Sequence, residues 1–530
     1  MQKKLQQLLR LEKNYFSKNK TASRFSQPMP QQQPQLDIQQ QIEQLVNQGQ
    51  KTFDTKEYFQ SLRIYQNHTS SDLRNLLLCT HVLNYEFIVK NSEKMYKLSS
   101  KIMGSNLINK IINKTVAKVY TGGNQLSDIP KIYENLKAKN VGLIVNYCDE
   151  VIEGRISEDY MDYATEQFVV SIQESQKVNS NVGIKYSGIC DPTLMRKLNG
   201  YRAQQRDVFK KISEQHTLQN VSGTQLYQGL NLYGIECSQE EIKDFCVQIL
   251  KKNDSQSLDE IQITRVQWEC LVHPLYIDDA LNNNSIIQKM TGFTQEELQK
   301  NKNIVKRLNR IYEVASVNPK SRIYVDAEQS FFQEFIESIT IQYQLIYNKQ
   351  EPMIYSTLQC YLKDSLDKIQ MEELKSKEFG ITTGCKLVKG AYLNEESHLP
   401  AKHNLNESYE ATTEMYDKVA KIGIDNCKGN NELLFGNHNL ENTRRIKEYM
   451  IQNNTDRQKC KFAQLLGMAD HLSFSLPLEG FETLKYVPIG PTDIMIPYLC
   501  RRAYEGFKFI SNVKMQEYLL KDELKQRIKK

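Results

Sequence analysis

RIYVDAEQSFFQEFIESITIQYQLIYNKQEPMIYSTLQCY, residues 322–361, holds the unit from which the fold is read. A short β-branched run, RIYVDAE (322–328), gives way to SFFQEFIESITIQYQLIYNK, where apolar residues recur at three- and four-residue spacing. A second short run, MIYSTLQCY (353–361), follows. Two strands joined through a helix must lie parallel, because a tight turn joins only antiparallel neighbours.

Outward from that unit the rhythm repeats. VGLIVNY (141–147) and VGIKYSG (182–188) precede it; CKLVKGAY (385–392), ELLFGNHN (432–439), KFAQLLG (461–467) and KYVPIG (485–490) follow. Eight such runs, most of them separated by helical segments, predict an α/β fold of the (β/α)8 barrel type, with a doubly wound open sheet as the competing architecture. One connection is anomalous: about 130 residues separate the second run from the third, so 192–310 reads as a largely helical insertion. Inside it, SQEEIKDFCVQILKK precedes KNDSQSLDEIQITRVQWECLV, a helix–loop–helix order reminiscent of an EF-hand. The loop lacks the central glycine and a terminal glutamate, so the insert is read as structural and no metal is assigned. The remaining divisions are a basic and Gln/Pro-rich segment at 1–50, a helical N-terminal region at 51–140, the first part of the barrel at 141–191, and its remainder at 311–530, which carries the sites.

The chain has 69 Lys+Arg against 63 Asp+Glu in 530 residues, a formal charge of +6. Residues 1–24 hold seven basic residues and one acid, which leaves 62 of each sign over 25–530. A body balanced in this way argues against a nucleic-acid binder, since phosphate affinity needs clustered positive charge. The leucines, basic residues, Ser and Thr of MQKKLQQLLRLEKNYFSKNKTASRF fit a mitochondrial presequence or, equally, a solvated basic tail. No apolar run of about 18 residues exists, which excludes a spanning helix on hydropathy. The 11 cysteines are scattered with no CxxC pair, which fits a reducing compartment and supplies no zinc motif.

In a barrel of this type the chemistry sits at the C-terminal ends of the strands. Those ends offer Lys185, Asp326 with Glu328, Gln359, Lys386 with Lys389, His438 with Asn439, and Tyr486. The helix after the last run adds Tyr498, Arg501, Arg502 and Glu505. Adjacent helix positions point about 100° apart, so Arg501 and Arg502 can grip one small anion from two sides. Guanidinium forks match carboxylate geometry. Glu505 lies one turn on, where it can pair with that arginine pair. No Gly-x-Gly-x-x-Gly fingerprint, no phosphate-binding Gly-x-x-x-x-Gly-Lys-Ser/Thr loop and no His-x-x-x-His spacing is present. The residues alone describe a barrel enzyme with a cationic mouth, a small anionic substrate and an unidentified electron or proton acceptor.

Seven motifs sharpen that reading: YVDAEQSFFQ, STLQCYLKD, KLVKGAYL, NHN, QLLGMAD, KYVPIGP and IPYLCRRAYE. In this order and spacing they resemble the proline dehydrogenases, and the eukaryotic mitochondrial type most nearly. The resemblance is near-continuous from about 320 to 508 and patchier from about 100 to 200. It implies a distorted (β/α)8 barrel that oxidises L-proline to 1-pyrroline-5-carboxylate, the first step of proline catabolism. FAD would take the hydride and a quinone, ubiquinone in this branch, the electrons. By the same resemblance Lys185, Arg501 and Arg502 hold the substrate carboxylate, and Leu465, Tyr486 and Tyr498 pack over its ring. Asp326 borders the pocket and joins Lys386 and Tyr486 as the catalytic set. Gln359, Lys386, Val388, Gly390, Ala391, Tyr392, His438 and Asn439 contact FAD.

The resemblance further implies a mitochondrial enzyme on the matrix side of the inner membrane, peripherally attached, with residues 1–24 as the import signal. There are departures. Bacterial members mostly carry Arg where this chain has Lys386, and Tyr186–Ser187 replace the usual Leu and small polar residue beside Lys185. Hydroxyproline-oxidising paralogues usually carry Ser in place of Tyr486, so the tyrosine favours proline on steric grounds. The alternatives are a hydroxyproline dehydrogenase, or an inactive barrel serving as a regulatory or partner-binding protein.

Overall fold

A computed structural model of the chain describes residues 55–147, 157–215, 220–398, 404–508 and 510–528. The N-terminal basic segment and the Gln/Pro-rich stretch lie outside the described residues. In chain order the strands are β1 (Gly142–Tyr147), β2 (Asn181–Ile184), β3 (Asn220–Ser222), β4 (Gln262–Thr264), β5 (Ile323–Val325), β6 (Ile354–Gln359), β7 (Gly384–Val388), β8 (Glu432–Gly436), β9 (Cys460–Leu465) and β10 (Thr483–Ile489).

Eight of them form a closed parallel barrel in the order β1-β10-β9-β8-β7-β6-β5-β2. The ring closes where β1 pairs with β10, from Gly142↔Leu484 through Tyr147↔Ile489. An open sheet would leave two unpaired edges, and this one has none. All six residues of β6 are buried, as expected for a strand with the barrel lumen on one side and helices on the other. That two-sided burial is why these strands read as apolar runs and not as alternating patterns.

The lower lumen is filled by Ile144, Tyr324, Tyr355, Leu434, Ala463 and Leu484, with Tyr486 packed against them from above. Tyr324 and Tyr355 meet with ring centroids 4.5 Å apart. Beneath this layer, at the N-terminal ends of the strands, Arg322 donates to Glu432 (2.8 Å) and Lys461 donates to the same carboxylate (2.9 Å). The Tyr355 hydroxyl also donates to Glu432, and Arg322 reaches Glu351 at 2.8 Å. This end of the barrel is a sealed, internally neutralised plug.

Between β2 and β5 the chain builds a second core, running from Val208 to Met290 around the fully buried Trp268, whose indole stacks on Phe209. β3 and β4 pair antiparallel at its centre through Val221↔Ile263. Each is followed by a helix with a capping box: Ser222 with Gln225, and Thr264 with Gln267. Acceptors of the EF-hand-like segment are taken by ammonium groups. Lys252 Nζ donates to Gln267 Oε1 (2.6 Å), and Lys243 Nζ donates to the Gln256 carbonyl. Among the described residues no group of three His, Cys, Asp or Glu is placed to hold a metal ion.

The helix after β10, Thr492–Lys508, lies at the C-terminal end of the barrel, where Leu465 at the end of β9 packs against its apolar face. It packs chiefly on the N-terminal helices Glu86–Lys90, Ser92–Met103, Ser105–Lys114 and Val116–Tyr120 and on the following helix, Ile510–Ile528. Its Met495, Ile496, Tyr498 and Leu499 share a core with Cys79, Ala117, Tyr120 and Met468. The N-terminal helices therefore form a roof above the strand ends. No described helix is long and apolar enough to cross a membrane.

Candidate active site

Under that roof the strand-end side chains gather. Lys386, the third residue of β7, sends its Nζ to Asp326 Oδ1 at 2.5 Å. Asp326 follows β5 directly, its N–H bonded to the Ile184 carbonyl at 2.9 Å, so its position is fixed by the barrel ladder. The other carboxylate oxygen accepts from the Tyr486 hydroxyl on β10, and the Lys386 ammonium lies 5.3 Å from the Tyr486 ring centroid. Three strands thus converge on one buried carboxylate. Charge-assisted bonds of this kind are short and roughly twice as strong as neutral ones.

Tyr486 also explains a glycine that is not among the expected site residues. A Cβ on Gly183 in β2 would sit 2.6 Å from the Tyr486 hydroxyl, so only glycine leaves the tyrosine its place. No signal at position 183 itself announces this; the clash is with a residue three hundred positions away.

From Tyr486 the site continues to its ladder partner on β9, Leu465. The Leu465 N–H donates to His438 Nε2 at 3.1 Å, which places the imidazole proton on Nδ1. Burial, with Lys485 and Arg502 nearby, pushes the His438 pKa down to about 3, so the ring is neutral. The Leu465 carbonyl accepts from Lys485 Nζ at 3.1 Å, and the same ammonium donates to Met468 O at 2.8 Å and pairs with Asp470 at 2.8 Å. Lys485 is fully buried, and its own pKa is lowered by that burial. It acts as an internal tie for the loop that carries Leu465. Its sequence signal is a lysine inside the apolar run LKYVPIG, and it is not among the expected site residues.

On the roof helix, Arg502 stacks 4.9 Å over the Tyr498 ring and donates from Nη2 to Glu505 Oε1 at 2.6 Å. Its Nε is buried and, among the described residues, makes no hydrogen bond. A buried guanidinium donor left unspent costs free energy of order 1–3 kcal/mol, and an anion in the mouth would relieve that cost. Arg501 is the preceding residue, half-buried on the same helix.

Lys185 stands where β2 ends. The run 182–188, expected as one strand, stops at Ile184 and turns at Tyr186–Gly188. The reason is Tyr186, which points out of the barrel and shares a 2.6 Å hydrogen bond with Tyr312. The Ser187 N–H then donates to the buried Glu328 carboxylate at 3.0 Å. Burial raises the Glu328 pKa, while the Lys185 charge works in the opposite direction.

Other expected residues do structural work in this conformation. Gln359 Nε2 donates to the Glu328 carbonyl at 2.7 Å. Asn439 caps the helix Leu440–Gln452 by accepting from the Asn442 N–H. Lys389 donates to Thr413 at 2.8 Å and lies over Tyr409, and burial lowers its pKa to about 8. Gly390 has φ +131°, and the clearance left by its missing Cβ is taken by the Tyr361 ring. Val388 ends β7, Ala391 is exposed, and Tyr392 precedes the short helix Leu393–Glu396.

Comparison with known proteins bears on what this arrangement does. A family model described as proline dehydrogenase matches residues 130–514. Proline dehydrogenase 1, mitochondrial, of Dictyostelium discoideum is 26% identical over 485 residues, covering 88% of this chain and 74% of that protein. The Homo sapiens protein of the same description is 24% identical over 542 residues, covering 88% of each. A Xenopus laevis hydroxyproline dehydrogenase is 33% identical over 237 residues, covering 43% of this chain and 50% of that one. Among solved structures, proline utilization A (PutA) from Bdellovibrio bacteriovorus, inactivated by N-propargylglycine, superposes with a TM-score of 0.52 at 15% identity. That match covers 92% of this chain and 44% of the PutA chain, so this chain spans less than half of it. At that identity the likeness is one of fold.

Proposed function

The chain belongs to the proline dehydrogenase family, and from that premise we propose how its barrel mouth oxidises L-proline to 1-pyrroline-5-carboxylate. Arg502, Arg501 and Lys185 hold the carboxylate. The observation that carries this is the unspent, buried Arg502 Nε beside an Nη2 already satisfied by Glu505. Leu465, Tyr486 and Tyr498 enclose the ring, with Tyr486 pinned by Asp326 and by the absence of a Cβ at Gly183.

The family implies a flavin, and FAD is the form proposed. The donor set suits it: an ammonium at Lys386, carboxamides at Gln359 and Asn439, the neutral His438, and the turn Val388–Tyr392. When bound, FAD supplies the hydride acceptor. Lys386 places fixed positive charge where negative charge collects, and Asp326 holds that ammonium in one orientation. Anchoring the carboxylate at one end of the ring and walling the other keeps the reacting carbon in a single pose.

A lipid-soluble quinone is the proposed final acceptor, reached by peripheral attachment to the matrix face of the mitochondrial inner membrane. Relatives named as mitochondrial support the compartment, and the basic segment 1–24 supports import. Removing residues 1–30 is expected to abolish import in a mitochondrial uptake assay and leave proline oxidation intact.

The direct test is the absorption spectrum of purified protein under anaerobic conditions. A flavin band bleached by proline is expected. Colourless protein that stays inert after added FAD overturns the reading. Hydroxyproline oxidation is the second reading, favoured by the Xenopus relative and opposed by Tyr486; kcat/KM for the two imino acids decides between them.

A further inference from the structure

Nine of the nineteen large apolar side chains that stand exposed among the described residues fall within positions 85–116. They are ordered. On the helix Ser92–Met103, Met95, Leu98 and Ile102 lie at i, i+3 and i+7; on Ser105–Lys114, Leu107 and Ile111 lie at i and i+4. These spacings draw one stripe along each helix. The stripes face outward: Phe87 is 75% exposed, Leu98 59% and Ile102 73%. The opposite faces are spent on the roof, where Ile112 and Tyr96 pack beside Ile496, Tyr498 and Leu499 of the helix that carries Arg501 and Arg502.

Charge accompanies the stripes. Positions 86–118 carry seven lysines and two glutamates, although the body as a whole is balanced. Lys90, Lys97 and Lys118 have carboxylate partners. Lys94, Lys101, Lys110 and Lys114 are exposed and have no ion-pair partner among the described residues. Scattered exposed leucines need no explanation, but a contiguous apolar patch rimmed by lysine does.

We propose that the outward face of the helices Glu86–Lys90, Ser92–Met103 and Ser105–Lys114 is a docking surface for an anionic lipid bilayer. It lies in the interface plane with its apolar stripes among the acyl chains and its lysines at the headgroups. None of the three helices is long enough to span. Electrostatics argues against the other occupants. A second copy in a two-fold contact would set the same lysines against themselves. Residues 1–24 of this chain are also strongly basic and would be repelled. Seated in this way, the roof over the substrate clamp is the part of the molecule in contact with lipid. The proposal thus rests on the reading of a lipid-soluble acceptor and gives that acceptor a short route to the mouth.

The test is flotation of the full-length holoenzyme with vesicles of phosphatidylcholine, or of phosphatidylcholine with about one-fifth phosphatidylglycerol. Binding to the anionic vesicles, weakened by added salt, is the expected result. The pair Leu98→Glu and Ile102→Glu is expected to weaken that binding about tenfold or more, with unchanged Tm and unchanged proline oxidation by a soluble dye. Lys94→Glu with Lys101→Glu is expected to remove the preference for anionic lipid. Equal binding to both vesicle types, no binding, or full binding by the Leu98/Ile102 variant overturns the proposal. So does a dimer that the same variant dissociates, or loss of flotation on removing only residues 1–54. Ubiquinone placed in the vesicles separates the two readings: flotation without quinone reduction leaves the docking standing and removes the quinone.

Discussion

The two ends of this barrel are built from the same kinds of residue and reach opposite outcomes. At the N-terminal end, Arg322, Lys461 and Tyr355 converge on Glu432, and Arg322 also reaches Glu351. Those charges are consumed within the protein. At the C-terminal end, Lys386 and Tyr486 converge on Asp326 in a matching pattern, but the cationic side has a remainder in the buried Arg502 Nε. Removing a partner from the closed end leaves a buried charge with nothing to meet it. Removing Arg502 from the open end takes away a donor, its Nε, that no described protein group uses. The first is a stability change and the second a kinetic one.

The largest break in that contrast is expected at Lys386. Lys386→Met should lower kcat by about 10²–10³, the scale seen for loss of one preorganised charge donor, with a smaller effect on substrate affinity; steady-state kinetics checks it. Glu432→Gln at the closed end should cost about 3 kcal/mol in urea unfolding and leave kcat/KM for proline unchanged, because Arg322 would keep only Glu351 and Lys461 would lose its nearest carboxylate. Arg502→Met should raise the proline KM about 10- to 100-fold while the flavin content of the purified protein stays the same. Tyr486→Ser should move the ratio of kcat/KM toward hydroxyproline by about tenfold, by opening space and releasing one hydrogen bond to Asp326.

The smallest effect is in pH. His438 titrates at about 3 in the folded chain against an ordinary 6.5, so between those values the unfolded chain holds the extra proton. Its contribution to stability is therefore complete above pH 6.5 and declines as pH falls, by about 1.4 kcal/mol at pH 5.5. His438→Asn should remove that share of the pH dependence in urea unfolding at pH 7.5 and 5.5, at the cost of its bond to Leu465.

Much of this was legible in the sequence, for a physical reason. A parallel strand buried on both faces is a short run of mostly apolar and β-branched residues, and all eight barrel strands announced themselves in that way. The same signal overran at 182–188, because Tyr186 stays buried after it has left the ladder and turned toward Tyr312. Asp326, Lys386 and Tyr486 were legible because strand ends are where a barrel presents its polar residues. Gly183 was not, because its reason is a neighbour on a distant strand, and Lys485 stands out as a lysine in an apolar run without showing which loop it ties. The stripes of 86–116 show helical periodicity in sequence, but only the packing of the roof decides which face is left outward.

The ring can close only late in synthesis. β1 is held by β2, made soon after it, and by β10, which begins at Thr483. During synthesis, one edge of β1 has no partner until β10 has been made. The final helix, Ile510–Ile528, then packs on the earliest described ones, Thr55–Leu62 and Ser70–Val82, with Arg527 donating to the carbonyls of Tyr65, Gln66 and His68. A chain stopped short of β10 would be an open sheet with two sticky edges and without the helix that carries Arg501 and Arg502, a client for chaperones. Completion of the last strand is therefore the event that both shuts the barrel and creates the mouth.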